Sequence, residues 1–423
     1  MIKPSFKAGI NVGMGAAVAA AVVLSAGCSA SHDGPPAATA KHSAPGRHKR
    51  PAAPPIVERP STVKHWGSFF GARKGKNYDV EASPVALTVP GTVAQAGTSN
   101  STEYVLLTNG TMYAWGLGTH GELGDGGTVN SINKAVRVRF PAGVKIAFIP
   151  TDVMPYDTAL AVDTQGHVWG WGLNGGGELC LGNRKSHTTP VRLPFSHVTT
   201  LGGASTHALY DSNGTVYACG QNISGDLGTG SMSGTTTPKK VQGLEGSSVT
   251  DLVASFANSG ALMSNGTYFD WGYNADGQLG HGTAGSPSDV PVRVPLPHPV
   301  AQVALGGSIW NNGQTIAMLS NGSLWGWGDD WAGQLGDGVR TAQPFPARFL
   351  APAGVTYQSL ATGSATSYAI STTGKVYAWG VSTLGQVGNG STQIAANPVV
   401  VATHASLISA TANNVMITVP RRK

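Results

Sequence analysis

The chain has 423 residues, of which 59 are glycine and only 11% are charged. That balance fits a turn-dense all-β protein with few exposed helical faces, and no amphipathic helical run of useful length follows residue 60. The net charge of +6 sits in residues 1–65, which hold eight Lys and Arg against two Asp and Glu. The rest of the chain is neutral, so it offers no electrostatic case for binding nucleic acid.

Lys3 and Lys7 precede a small, apolar stretch over residues 8–27 that ends Leu24-Ser25-Ala26-Gly27-Cys28. This resembles a bacterial lipoprotein signal, with small residues before a cysteine that receives the lipid. Ser25 stands where Leu is usual, and a plain secretory signal or a retained membrane helix are the alternatives. The reading places residues 1–28 in the signal, with lipidation at Cys28. Residues 29–62, rich in Pro, Ala, Ser and basic side chains, cannot bury a core and read as an extended tether. The run Arg47-His48-Lys49-Arg50 is either plain solvated linker or a contact with anionic lipid or wall polymer. Residues 421–423 form a short basic tail.

From residue 63 the chain is repetitive. Trp115, Trp171, Cys219, Trp271, Trp327 and Trp379 each precede a Gly and recur about every fifty residues, a period of propellers and solenoids. A loop then runs to a tail such as Gly121-Glu122-Leu123-Gly124 or Gly225-Asp226-Leu227-Gly228. In residues 197–242, Val198–Leu201 and His207–Asp211 read as two strands, and Asn213-Gly214 as a two-residue type I′ turn. Val216–Gly220 and Pro238–Val241 read as the third and fourth strands. The turn signal recurs at Asn109-Gly110, Asn265-Gly266 and Asn321-Gly322, with Gln165-Gly166 and Thr373-Gly374 as variants. Proline recurs near the fourth strand, as suits an outer edge. The turns account for the Asn-Gly-Thr/Ser triplets without any sugar. Gly116–Gly121 spells a dinucleotide fingerprint but no helix follows it.

His65-Trp66-Gly67 looks like the second half of a repeat without a first, and residues 405–419 like a first half without a second. Joining residues 63–89 to 405–419 gives a seventh blade that closes the ring and removes open sheet edges. The predicted fold is therefore all-β, a seven-bladed propeller of four-stranded antiparallel blades over residues 63–420. The repeat tryptophans Trp66, Trp115, Trp171, Trp271, Trp327 and Trp379 are assigned to packing.

Over residues 64–419 these motifs resemble the regulator of chromosome condensation repeat. The resemblance implies a seven-bladed propeller. The namesake's exchange activity on a nuclear GTPase and its binding to chromatin are not carried over, because an exported, charge-neutral body would meet neither partner. The secreted bacterial branch offers a nearer analogy in the type II β-lactamase inhibitory proteins, which grip their enzyme through aromatic loop residues on one propeller face.

Strand parity puts the loops between strands one and two, and between three and four, on one face, opposite the Asn-Gly turns. That face is expected to hold Tyr156, Phe256, Tyr273, Trp310 and Trp331, with His120, Asp329 and Asp330 as polar neighbours. Large aromatics on loops anchor protein interfaces, although each can instead serve as a lid over its own blade. Cys180 and Cys219 lie in neighbouring repeats and can pair in an oxidising compartment; Cys219, in a Trp slot, also fits a buried, inert thiol. No catalytic or metal-ligand spacing is found in the linear sequence. His207 reads as a structural donor at a strand start. No cofactor, no metal and no nucleic acid partner are expected. Three readings follow: a monomeric, lipid-anchored, extracytoplasmic module that binds an envelope protein; an inhibitor or sensor of a β-lactamase or penicillin-binding enzyme; or a protein that binds or cleaves envelope polysaccharide.

Overall fold

In a computed structural model, the described residues are 60–70, 78–150, 157–204, 206–244, 248–307 and 313–419, with side chains left out at 69, 70, 78 and 79. The signal segment with Cys28, the tether up to residue 59 and the basic tail fall outside them, as do Tyr156 and Trp310. The described residues form 28 strands and no helix. They assemble into seven four-stranded antiparallel sheets. Blade 1 is built from Val93–Thr98, Thr102–Leu107, Met112–Gly116 and Ser131–Arg137. Blades 2 to 6 occupy 146–192, 198–240, 249–293, 300–349 and 357–402.

The seventh blade unites the two ends of this region. Its inner strands are Leu407–Ala410 and Asn414–Val419, and its outer strands are Ser61–Phe70 and Tyr78–Val89. The first outer strand begins at Ser61, two residues into the expected tether. Val63 pairs with Thr418 and His65 with Met416, so the ring is closed by the strand ladder itself. Each blade then keeps only the short, protected edges of a propeller.

One repeat position explains how neighbouring blades lock. The last Gly of each tail lies against the indole of the next blade. A Cβ added to Gly280 would come within 2.7 Å of Trp327, and one on Gly388 within 2.5 Å of Trp66. Both glycines have positive φ, 60° and 81°, a region that side chains disfavour. At four of these junctions the indole in turn donates to a carbonyl of the preceding blade's tail: Trp171 Nε1 to Glu122 O at 2.8 Å, Trp271 to Asp226 O at 2.9 Å, Trp379 to Gln334 O at 2.9 Å and Trp66 to Gln386 O at 2.8 Å. All six repeat tryptophans are fully buried.

The exception is a paired replacement. Between blades 2 and 3, the Gly is Cys180 and the Trp is Cys219. Cys180 keeps the positive φ of the glycine it replaces, 57°, and the two cysteines form a disulfide with Cα atoms 5.5 Å apart. Losing the indole makes room for a Cβ at the glycine position, and a covalent bond takes over the cross-blade contact.

The hairpins require a correction. Only Asn213-Gly214 is a two-residue turn with both φ positive, 55° and 72°, and Ser212 pairs directly with Thr215. Elsewhere a longer loop is used. Gly110 N bonds Leu107 O at 2.9 Å and Leu107 N bonds Thr111 O at 2.8 Å, and the same two bonds recur around Gly166, Gly266, Gly322 and Gly374. This is a type I turn closed by a glycine bulge. Its Asn does not need positive φ; Asn109 Oδ1 accepts from Thr111 N, Asn265 Oδ1 from Thr267 N, and Asn321 Oδ1 from Ser323 N, which is the local side-chain bonding that favours Asn in turns. The prolines of the fourth strands sit where the outer ladder slips, as Pro190 does between His187 and Val191, so a missing N–H costs no ladder bond.

Candidate functional site: the long-loop face

The 1–2 and 3–4 loops share one face, and the loop tails are held by side chains that repeat from blade to blade. In blades 2 to 6, an Asn, Asp or Ser three residues after the Trp (or Cys219) accepts the N–H of the tail Leu or Val. Asn174, Asn222, Asn274 and Asp330 bond to Leu179, Leu227, Leu279 and Leu335 at 3.0, 3.0, 3.2 and 2.8 Å. The second tail residue folds back to a backbone N–H two residues earlier: Glu122 to His120, Asp226 to Ser224, Gln278 to Asp276 and Gln334 to Ala332.

This framework reassigns Asp330. It is fully buried and closes its own loop in the place filled by Asn in blades 2 to 4, so it presents nothing to a partner. Burial, with Asp337 and Asp329 nearby, pushes its carboxyl up to about 7. The sequence placed Asp330 among the polar neighbours of the loop face because a buried loop-closing Asp and a surface Asp look alike in one sequence.

The remaining described candidates divide into two groups. Phe256 and Tyr273 are half-buried in blade 4, joined through Tyr273 N to Ala257 O at 2.9 Å. Trp331, in blade 5, is 42% exposed. Its backbone is pinned by Asp329 Oδ1 at 3.4 Å and by Arg340 Nε, which donates to Trp331 O at 2.7 Å. Asp276 of blade 4 raises the pKa of both Tyr273 and Asp329, in each case adding to burial. The 3–4 loops of blades 4 and 5 therefore meet in a patch of aromatic rings and carboxylates. His120 stands apart in blade 1, exposed, with Nδ1 3.0 Å from Glu122 Oε1.

A serine–histidine–aspartate constellation, unseen in the sequence, appears between blades 3 and 4. His207 Nε2 lies 2.8 Å from Ser259 Oγ, and His207 Nδ1 lies 3.8 Å from Asp226 Oδ2. It does not have the chemistry of a nucleophilic triad. All three residues are at most 1% exposed. Ser259 Oγ donates its proton to Asp226 O at 2.8 Å, as Ser367 donates to Gln334 O at 2.7 Å in blade 6. Burial lowers the His207 pKa more than Asp226 raises it, and the neutral ring donates to a hydroxyl already committed elsewhere. His207 is a structural donor.

The regulator of chromosome condensation (RCC1) repeat model matches residues 213–259 and 265–309. These two matched segments lie in blades 3 to 5. Solved structures superpose on the chain: human WBSCR16 with a TM-score of 0.74 at 18% identity, covering 86% of this chain and 100% of that one, and yeast Prp20p, an RCC1 protein, with 0.72 at 19% identity, covering 86% and 93%. Among relatives by sequence, the ultraviolet-B receptor UVR8 of Arabidopsis thaliana is 27% identical over 292 residues, covering 66% of this chain and 63% of the receptor. The human E3 ubiquitin-protein ligase HERC2 is 29% identical over 303 residues, 69% of this chain but 6% of the ligase. The fold is thus that of an RCC1-like seven-bladed propeller, and a fold by itself carries no specificity.

Proposed function

We propose that this RCC1-repeat propeller is a lipid-anchored, extracytoplasmic module that docks an envelope protein through the 3–4 loops of blades 4 and 5. The observation that carries the reading is Trp331: a large aromatic 42% exposed, its backbone held by Asp329 and Arg340, at a loop position that the repeat fills differently in each blade. An exposed aromatic on a loop with a fixed backbone is the kind of anchor that dominates protein interfaces. The Cys180–Cys219 disulfide favours an oxidising compartment, in keeping with an export signal ending at Cys28. The yeast Prp20p structure is described with binding to Gsp1p and histones, which supports protein docking as a use of this scaffold without naming a partner here.

The test is site-specific photocrosslinking from position 331 in intact cells, compared with a crosslinker at Asn213 on the opposite face. A discrete adduct from 331 alone, lost in Tyr273→Ala, is expected. Equal adducts from both faces, or none, would count against the reading.

A further inference from the structure

His120 and Glu122 belong to the tail of blade 1, and Asp157 to the 1–2 loop of blade 2. One donor atom from each lies within 4.8 Å of the other two. Glu122 is fully buried and Asp157 is 6% exposed, whereas the His120 side chain is 47% exposed, so the group has a sealed floor and one open side. Two of the three donors are already close, with His120 Nδ1 3.0 Å from Glu122 Oε1.

Two facts separate this trio from the repeat framework. Glu122 has a structural duty, accepting the N–H of His120 at 2.7 Å with Oε2, which leaves Oε1 toward the imidazole. Asp157 has none: its Oδ1 is buried with no hydrogen-bond partner among the described residues, a costly state for a carboxylate. Its equivalents, each directly before the first residue of a second strand, are Ser101, Thr206, Ala257, Gly313, Ala365 and Asn413, so the scaffold does not call for an acid. His120 is likewise dispensable to the repeat, which has Gly176, Ser224, Asp276, Ala332 and Leu384 in its place. An imidazole and a buried carboxylate, each unneeded by its own blade, converge on a second buried carboxylate at a blade junction.

We propose that His120 Nδ1, Glu122 and Asp157 form a divalent transition-metal site of the zinc class, which ties the tail of blade 1 to the 1–2 loop of blade 2. A mixed imidazole and carboxylate set suits zinc and its neighbours rather than magnesium or calcium, which favour all-oxygen shells. Bonds of about 2.0–2.2 Å to each donor require the Asp157 carboxylate to close in slightly on the His120–Glu122 pair. The three protein ligands leave a fourth position facing solvent on the side where His120 is exposed. The site is independent of the patch on blades 4 and 5.

The test is calorimetric titration of zinc into the chelator-stripped full-length protein in detergent, with cobalt as a spectroscopic probe. One equivalent is expected to bind, to raise the thermal midpoint and to give the intense visible absorption of four-coordinate cobalt, whereas magnesium and calcium at equal concentration leave the midpoint unchanged. His120→Ala, at an exposed position, and Asp157→Asn should each weaken zinc by roughly tenfold or more, with an unchanged circular dichroism spectrum showing that the fold survives. No saturable zinc binding, a preference for calcium, or full affinity retained in both variants would overturn the proposal.

Discussion

At the residue scale, the most consequential positions are those where the repeat is strict and one side chain departs from it. Gly280 is fixed by Trp327 and by its backbone together, so Gly280→Ala combines a strained φ with a 2.7 Å clash. A loss of about 2–4 kcal/mol is expected, measured by urea denaturation. Asp330 departs the other way. Its carboxyl, raised to about 7, keeps a proton in the fold that the unfolded chain has released by about pH 4. The native state therefore binds more protons between about pH 4 and 7, and stability falls as pH climbs through that window. Glu178, which burial pushes up to about 7, acts in the same direction. Asp330→Asn restores the side chain of blades 2 to 4 and should raise the thermal midpoint at pH 7.5 while changing it little at pH 4. An equal shift at both would mean that ionisation is not what Asp330 costs.

At the element scale, the unit of architecture is the junction between a tail and the next blade. Five described junctions use Gly against Trp, and one uses a disulfide between Cys180 and Cys219, 39 residues apart in sequence. Closing a loop of that length stabilises by about 3–4 kcal/mol on the chain-entropy account, so Cys180→Ala with Cys219→Ala should lower the denaturation midpoint accordingly. The pair logic makes a sharper prediction. Cys219→Trp should be harmful when Cys180 keeps its Cβ and less so in a Cys180→Gly background. A double-mutant cycle should show coupling of about 1–3 kcal/mol; additive effects would show that the two positions are not exchanged as a unit.

At the scale of the whole molecule, stability rests on the seventh blade, where the strand ladder joins the start of the propeller to its end. His65 of that blade reaches Glu103 of blade 1 at 2.8 Å, both side chains buried. Burial alone would lower the His65 pKa, but the neighbouring carboxylate outweighs it and the pKa is raised. A raised histidine contributes fully below its unfolded value near 6.5, and that contribution is lost as pH rises through the folded value. The stability gap between the wild type and His65→Ala should accordingly be widest below about pH 6.5 and narrow toward pH 9. Denaturation across that range measures it, and a gap independent of pH would assign His65 to packing alone. Glu103→Gln should remove the same pH dependence.

The sequence by itself determined the fold, because a propeller writes its period into every blade. The Trp-Gly steps count the units, the glycine turns divide the strands, and the half-repeats at Trp66 and residues 405–419 announce the shared blade. It also pointed to Tyr273 and Trp331 by their irregularity. The type of turn was not legible, since Asn-Gly serves both a two-residue loop and a bulged one, and a single extra residue decides between them. Only the tertiary structure showed that Asp330 is buried, that Cys180 and Cys219 replace a Gly–Trp contact, and that His120 and Glu122 meet Asp157 across a blade junction. These facts depend on which tail lies against which neighbouring blade. Residues of one blade are read by spacing along the chain, whereas contacts between blades are set by closure of the ring.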